Sequence, residues 1–332
     1  MPAAPAPLVL FHVAAGPRLG FGHLVRCGVL ARALGGRARL SLHGTAATRR
    51  VARRRGWILA DRGVRALAPE IDLLVVDDPS ALRALTWVRR AHRRGLRVAT
   101  FHDMGIGRVA SDLTIDGSLA PARDGRRADL QGPRYAVLGS RPGAARRRSS
   151  DRRPLDVVVA LGGGAHVRRL GARLARAIRQ SDPRARVAIA AGLTGLTPPV
   201  LPAGCRWLPS SADLATALGA ATVAVAAGGL TLQEACALGT PVVATAVVPA
   251  QRPAIRAWAA AGAVLDAGRA TRPQDVTRVA ALVAALLADP RRRVALGRRA
   301  RRLIDADGAT RVARALRALV AGTQGREVRR AA

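Results

Sequence analysis

Short unbroken apolar runs alternate along the chain with longer segments in which apolar residues recur every third or fourth position. The runs at 8–13, 38–42, 71–78, 97–101, 155–161, 186–190, 205–208, 222–226 and 242–248 read as strands, most of them without the polar alternation of a half-exposed sheet. Residues 57–59 read as a further short segment of the same kind. Helical spacing covers 24–34, a stretch to about 55, 80–94, 167–178, 212–218, 253–261, 273–287, 290–304 and 308–320. Strands alternating with helices of this length predict βαβ units and parallel sheets, whose ligands gather outside the carboxyl ends of the strands. Between 120 and 153 the pattern fails. Pro121, Gly125, Gly132-Pro133, Pro142-Gly143 and the arginines at 146–148 predict an exposed connection, interrupted by a short apolar piece at 135–138. That places a boundary near residue 145, dividing the chain into domains 1–145 and 146–332, with the final helix, 308–320, able to pack back on the first. The stretch 214–250 is apolar enough to raise a membrane span, but Gly228-Gly229, Gln233-Glu234 and Gly239-Thr240-Pro241 break it into two strands and a helix.

The stretch following the first strand is the richest in chemistry. Gly16, Gly20 and Gly22 let the backbone turn sharply, and Leu24, Cys27, Leu30 and Leu34 then fall at helical spacing. His23 and Arg26 therefore belong to the first turn of a helix whose amides are open to an anion, and an imidazole there can move a proton on a bound phosphorylated substrate. Helix capping is the plainer role for His23, and Arg26 serves equally to bind phosphate or to pair with a surface carboxylate. Asp77, Asp78 and Asp103 fall at strand ends on the same edge; Asp78 and Asp103 are candidate substrate ligands, with capping of the next helix as the alternative. His12 reads as a core histidine, His43 and His92 as surface residues, and His102 and His166 as partnerless.

The second half restarts the logic of the first: a strand, the loop Gly162-Gly163-Gly164, and a helix. Further on, a strand runs into Gly228-Gly229-Leu230-Thr231-Leu232-Gln233-Glu234. Its glycines admit a phosphate, Thr231 either caps the helix or donates to that phosphate, and Glu234 sits a turn later on the same face, either taking the two hydroxyls of a ribose or standing as a solvated helical glutamate.

Composition narrows the field. At 332 residues the chain suits two cores, and 49% of it is apolar, enough to fill both. The formal charge of +34 suggests a polyanion partner, yet every cation except histidine is arginine, with no lysine, the mark of a GC-rich genome. Aromatics make up 2%, too few for a base-stacking surface, which argues against nucleic acid. Cys27, Cys205 and Cys236 share no metal-ligand spacing and read as small core residues of a reducing cytoplasm. The first five residues lack the features of a signal peptide.

In this order the motifs resemble the UDP-sugar hydrolases of pseudaminic acid synthesis and the related spore-coat polysaccharide proteins. The similarity lies in Gly20-Phe21-Gly22-His23-Leu24-Val25-Arg26-Cys27, in Gly132-Pro133-Arg134-Tyr135-Ala136-Val137-Leu138, in 229–241 and in Leu303-Ile304-Asp305-Ala306-Asp307-Gly308-Ala309. The resemblance implies a GT-B fold, two Rossmann-type domains with parallel sheets facing a central cleft. It implies UDP on the second domain against Gly228, Gly229, Thr231 and Glu234, with the sugar facing the first. From the loops and strand ends themselves, Gly20, Gly22, Arg26, Asp78, Asp103, Gly163 and Gly164 join these as candidate substrate-binding residues. His23 would orient or deprotonate a water attacking the anomeric carbon, without metal or other cofactor. Where the family carries an Asp-Asn-Gln type sequence this chain has Pro249-Ala250-Gln251, so only Gln251 carries over; where it carries an acid after the second glycine loop, this chain has Ala165-His166. The expected activity is hydrolysis of a UDP-activated amino sugar, and the alternatives are transfer of the sugar to an acceptor or binding without turnover.

Overall fold

Runs of leucine and β-branched residues give strands with no polar face to offer to water: the strands at Val9–Ala14 and Leu73–Asp77 are buried along their whole length, and that at Ala221–Ala227 at all but Thr222. The computed structural model describes residues 6–61, 63–139, 155–164, 166–193, 197–210 and 213–331. It divides into two units, one made of 1–19, 23–137 and 307–332, the other of 20–22 and 138–306.

In the first unit, β1 (Val9–Ala14), β2 (Ala38–His43), β3 (Leu73–Asp77), β4 (Arg97–Phe101), β5 (Leu113–Asp116) and β6 (Leu130–Gln131) form one parallel sheet in the order β2-β1-β3-β4-β5-β6. Helices α1 (Gly22–Ala33), α2 (Ala46–Arg54) and α3 (Ala81–His92) connect the first strands. The order reverses at β1, which lies between β2 and β3, so the topological switch point falls between the carboxyl ends of β1 and β3. Thr45 caps α2 and Ser80 caps α3, each accepting from the amide three residues on.

The second unit repeats the plan. Its strands are β7 (Leu155–Ala160), β8 (Val187–Ala190), β9 (Cys205–Leu208), β10 (Ala221–Ala227), β11 (Val242–Ala246) and β12 (Leu265–Arg269), in the order β12-β11-β10-β7-β8-β9, again all parallel. The helices are α4 (His166–Ser181), α5 (Leu214–Ala220), α6 (Leu230–Leu238), α7 (Arg252–Ala260), α8 (Pro273–Ala288) and α9 (Pro290–Leu303). Here the switch point lies between β7 and β10, the two strands that run into the loops at 162–164 and 228–229. The last helix, α10 (Gly308–Ala331), counts with the first unit. Val312, Ala313 and Leu316 are buried there, Arg311 Nη1 donates to the Arg134 carbonyl at 2.9 Å, and Arg317 Nη2 donates to the Ala33 carbonyl at 2.8 Å.

Three expectations change. Residues 57–59 make one bridge, Leu59 to Leu40, because Trp57 turns inward against Phe11 instead of extending the pairing. The connection after 120 holds an element not expected there, Leu130–Gln131, which adds the sixth strand, while the apolar piece expected at 135–138 is buried at Ala136, Val137 and Leu138. Strands β5 and β12 lie outside the continuous apolar runs, since each is short and carries an aspartate. The boundary near residue 145, the arginines at 146–148, the first five residues and Ala165 lie outside the described residues. No helix among them is long and apolar enough to cross a membrane.

Candidate functional site

At the switch point of the first unit, α1 begins directly after the loop from β1, and its first turn carries His23 and Arg26 one turn apart on the same face. Period-two alternation in β3 sends Asp77 to the face toward α1 and Asp78 to the opposite face toward α3. The result is a closed set of bonds. His23 Nδ1 and Asp77 Oδ1 are 2.7 Å apart, Arg26 Nε donates to Asp77 Oδ2 and Arg26 Nη2 to Asp77 Oδ1, each at 2.6 Å, and Arg26 Nη1 donates to Asp103 Oδ1 at 2.7 Å. The guanidinium lies over the Phe101 ring, 4.7 Å from its centroid, and Cys27 Sγ donates to Asp77 Oδ2 at 3.5 Å. Arg26 is 6% exposed and the Asp77 side chain 2%, while the His23 side chain keeps 18%.

The charges follow from that geometry. Burial alone would raise the Asp77 pKa, but Arg26 and His23, by charge and by hydrogen bond, hold it far below the usual carboxylate range. For His23 burial works against the imidazolium; the ionised Asp77 outweighs it, Arg26 partly opposes, and the net pKa is raised. An ionised Asp77 accepts the Nδ1 proton, which leaves Nε2 as the basic nitrogen of the neutral ring. Burial and the neighbouring Asp77 keep the Cys27 thiol neutral.

Asp78 is occupied elsewhere. Its carboxylate receives Arg83 Nε at 2.7 Å, Arg83 Nη2 at 2.9 Å and the Ser80 amide at 2.8 Å, with His12 Nε2 at 3.3 Å. It therefore ties β3 to α3, and the acid that meets His23 is its neighbour Asp77. Asp103 does join the cluster, with its side chain 42% exposed. Arg26 is neither a surface residue nor open to phosphate, since its guanidinium is shared between two carboxylates. His12 is a satisfied core residue, stacked on Trp87 at 4.4 Å. His43 and His92 are exposed; His92 pairs with Asp112 at 2.9 Å. His102 is buried, bonds Thr100 Oγ1 at 2.7 Å, and burial lowers its pKa to about 4.

In the second unit the two glycine loops flank the switch point. Gly162 has φ +87° and Gly20 φ +85°, a left-handed backbone that favours glycine. Phe21, which belongs to this unit, is buried, and a Cβ on Gly163 would come 3.1 Å from its ring; Gly164 accepts the Val167 amide at 3.2 Å. Gly228 and Gly229 differ in kind. A Cβ on Gly228 would meet Ile255 Cγ1 at 2.9 Å and Gln251 at 3.0 Å, whereas one on Gly229 would meet nothing within 4 Å. Gly229 is the N-cap of α6 and no side chain caps that helix, so Thr231 lies inside the first turn rather than serving as the cap. Gln251 is committed through Oε1, which accepts the Val247 amide at 3.0 Å and closes the turn after β11. Glu234 is half-buried. Burial pushes its carboxyl up to about 7, with the Gly139 amide lowering it and Asp213 raising it. His166 Nε2 lies 3.1 Å from the Leu161 carbonyl. Among the described residues no group of three or more His, Cys, Asp or Glu is arranged to hold a metal ion.

The family described as "Glycosyl transferases group 1" matches residues 201–303, the part of the second unit that follows β8. No curated protein matches the chain in sequence. Among solved structures, the spinosyn rhamnosyltransferase SpnG is 19% identical with a TM-score of 0.63, over 93% of this chain and 99% of that one. The calicheamicin glycosyltransferase CalG4 is 17% identical with a TM-score of 0.62, over 94% and 98%. MurG of Acinetobacter baumannii is 15% identical with a TM-score of 0.61, over 94% and 99%. The fold is of the GT-B type. At these identities the likeness is one of architecture, and it accounts for the paired parallel sheets, the two switch points and the glycine loops beside the second of them.

Proposed function

We propose that the protein is a GT-B glycosyltransferase that moves a sugar from a nucleoside diphosphate to an acceptor hydroxyl, with His23 as general base. The observation that carries this reading is the 2.7 Å bond between His23 Nδ1 and Asp77, at the switch point of the first sheet. An imidazole held in that tautomer takes the acceptor's proton at Nε2 as the oxygen attacks the anomeric carbon, and the nucleoside diphosphate leaves. The second unit supplies the donor site: the Gly229 end of α6 for the diphosphate, with Thr231 beside it, and Glu234 for the ribose hydroxyls. The group 1 family match over 201–303 supports placing the donor there, and SpnG has been captured with thymidine diphosphate.

Hydrolysis of a UDP-sugar is the second reading, favoured by the likeness of the stretch 20–27 to the pseudaminic acid hydrolases. The same histidine would then activate water. Incubating the purified protein with UDP- and TDP-sugars, first alone and then with alcohols as acceptors, separates the two. Nucleotide release that needs an acceptor and disappears in His23→Ala supports transfer. Release without acceptor supports hydrolysis, and tight nucleotide binding without release under either condition overturns both.

A further inference from the structure

We infer that Arg26 is a positioning residue for His23, fixing Asp77 in the one orientation that takes the imidazole Nδ1–H and, through its link to Asp103, setting how readily Nε2 takes a proton. The inference rests on the reading of His23 as the base. A carboxylate held by one hydrogen bond is free to turn about its last torsion. Two N–H groups of a planar fork, each 2.6 Å from a different oxygen of Asp77, remove that freedom. Such an arrangement is weak evidence of a purely stabilising role, because apolar residues of the same volume often replace a buried ion network at little or no cost, even though breaking one partner is costly.

The network also sets a charge balance. The charged groups facing His23 are Asp77 from β3, Asp103 after β4 and Arg26 from α1 itself. With His23 neutral they carry one positive and two negative charges, a net −1 that draws a proton, and a protonated His23 brings the cluster to neutrality. Without Arg26, two carboxylates would face the ring and hold it protonated, useless as a base at neutral pH. Without the Asp103 charge the ring would take a proton less readily. Lysine at 26 would keep the charge, but a single ammonium cannot hold both oxygens of Asp77 in one plane.

The test uses the full chain with 15N-labelled histidine, reading the His23 tautomer and titration by long-range 1H–15N NMR. The wild-type neutral ring is expected as the Nδ1–H tautomer. In Arg26→Gln the titration midpoint moves up; in Asp103→Asn it moves down; in Arg26→Lys it stays near wild type while the Nδ1–H share falls. With turnover as readout, Arg26→Gln loses about tenfold or more in kcat at neutral pH, within the range general-base catalysis supplies, and regains it as pH rises, with KM unchanged. Unchanged midpoints and tautomer in both Arg26→Gln and Asp103→Asn overturn the inference. Should Arg26→Gln fail to fold, Arg26→Lys, which keeps the charge but not the fork, decides through the tautomer, and an Nδ1–H share equal to wild type overturns the inference. Because the ring is observed directly, a His23→Ala protein that keeps its turnover refutes the general-base reading separately.

Discussion

His23 and Asp77 are 54 positions apart in sequence and 2.7 Å apart in the folded first unit, joined Nδ1 to Oδ1. The proposed chemistry needs that bond in two ways, for the tautomer and for the raised pKa of the ring. His23→Ala is expected to lower kcat by about 10² to 10⁴, the range for loss of a positioned base, with little change in donor affinity. Asp77→Asn removes the charge that raises the His23 pKa, so the acidic limb of the pH–rate profile shifts to lower pH even as the maximum rate falls. A limb that stays in place in Asp77→Asn would mean that another group titrates.

The same carboxylate links pH to stability. Its folded pKa lies far below its unfolded one, so its contribution is fully present above the unfolded value, about 3.9, and fades as pH falls from there toward the folded value. Asp77→Asn leaves the buried Arg26 guanidinium short of one charge partner, a change that costs about 3–5 kcal/mol in buried pairs. Urea unfolding at pH 7 and at pH 3 is the measurement. The gap between wild type and variant should be large at the first and shrink at the second, and an equal gap at both would place its origin in packing.

How far the sequence reveals these things depends on the range of the signal. Both sheets are legible, since parallel strands buried on two faces are written as continuous apolar runs; β5, β6 and β12 escape because they are short, the first two ending in Asp116 and Gln131 and the third broken by Asp266. His23 stands out locally by its place after the loop glycines. Its partner does not, for the pair Asp77-Asp78 gives two equal candidates one residue apart. Alternation decides between them once a face is known: Leu74 and Val76 share a core with Leu10 and with α3, which leaves Asp77 for the α1 side. Thr231 is ambiguous in sequence for a similar reason, because the start of α6 depends on where β10 ends, and a glycine cap carries no side-chain signal.

Glu234 offers a test in the second unit. Burial pushes its carboxyl up to about 7, so in the free protein its folded pKa lies above its unfolded one. Stability linked to it is fully present at low pH and lost as pH rises through about 7; Glu234→Gln should therefore melt higher than wild type at pH 8 and not at pH 4. Binding runs the other way. An ionised carboxylate is the better acceptor for two ribose hydroxyls, so calorimetry should show UDP or TDP binding strengthening as pH rises through 7. Glu234→Gln should lose about tenfold or more at pH 8, as expected for a hydrogen bond to a charged group. Affinity independent of pH and of the substitution would remove Glu234 from the nucleotide site.

The adjacent glycines 228 and 229 give a paired prediction in which packing and binding separate. At 228 an added methyl would press on Ile255 and on both backbone and side chain of Gln251 at about the same short distance, 2.9–3.0 Å, with no flexible chain end to yield. Gly228→Ala is expected to cost about 1–3 kcal/mol, the usual penalty for overpacking, seen as a lower melting temperature. At 229 the methyl meets no atom of the protein within 4 Å, and the backbone there is extended, φ −123°, so alanine fits without strain. Gly229→Ala should melt with the wild type. In the proposed donor site, however, its methyl stands at the cap of α6 where the diphosphate approaches the first helical amides, and nucleotide affinity should fall by about tenfold, the value of one charge-assisted hydrogen bond. Melting temperatures and UDP titrations of the two variants measure this directly, and a Gly229→Ala protein that binds nucleotide as tightly as wild type would move the diphosphate away from this helix.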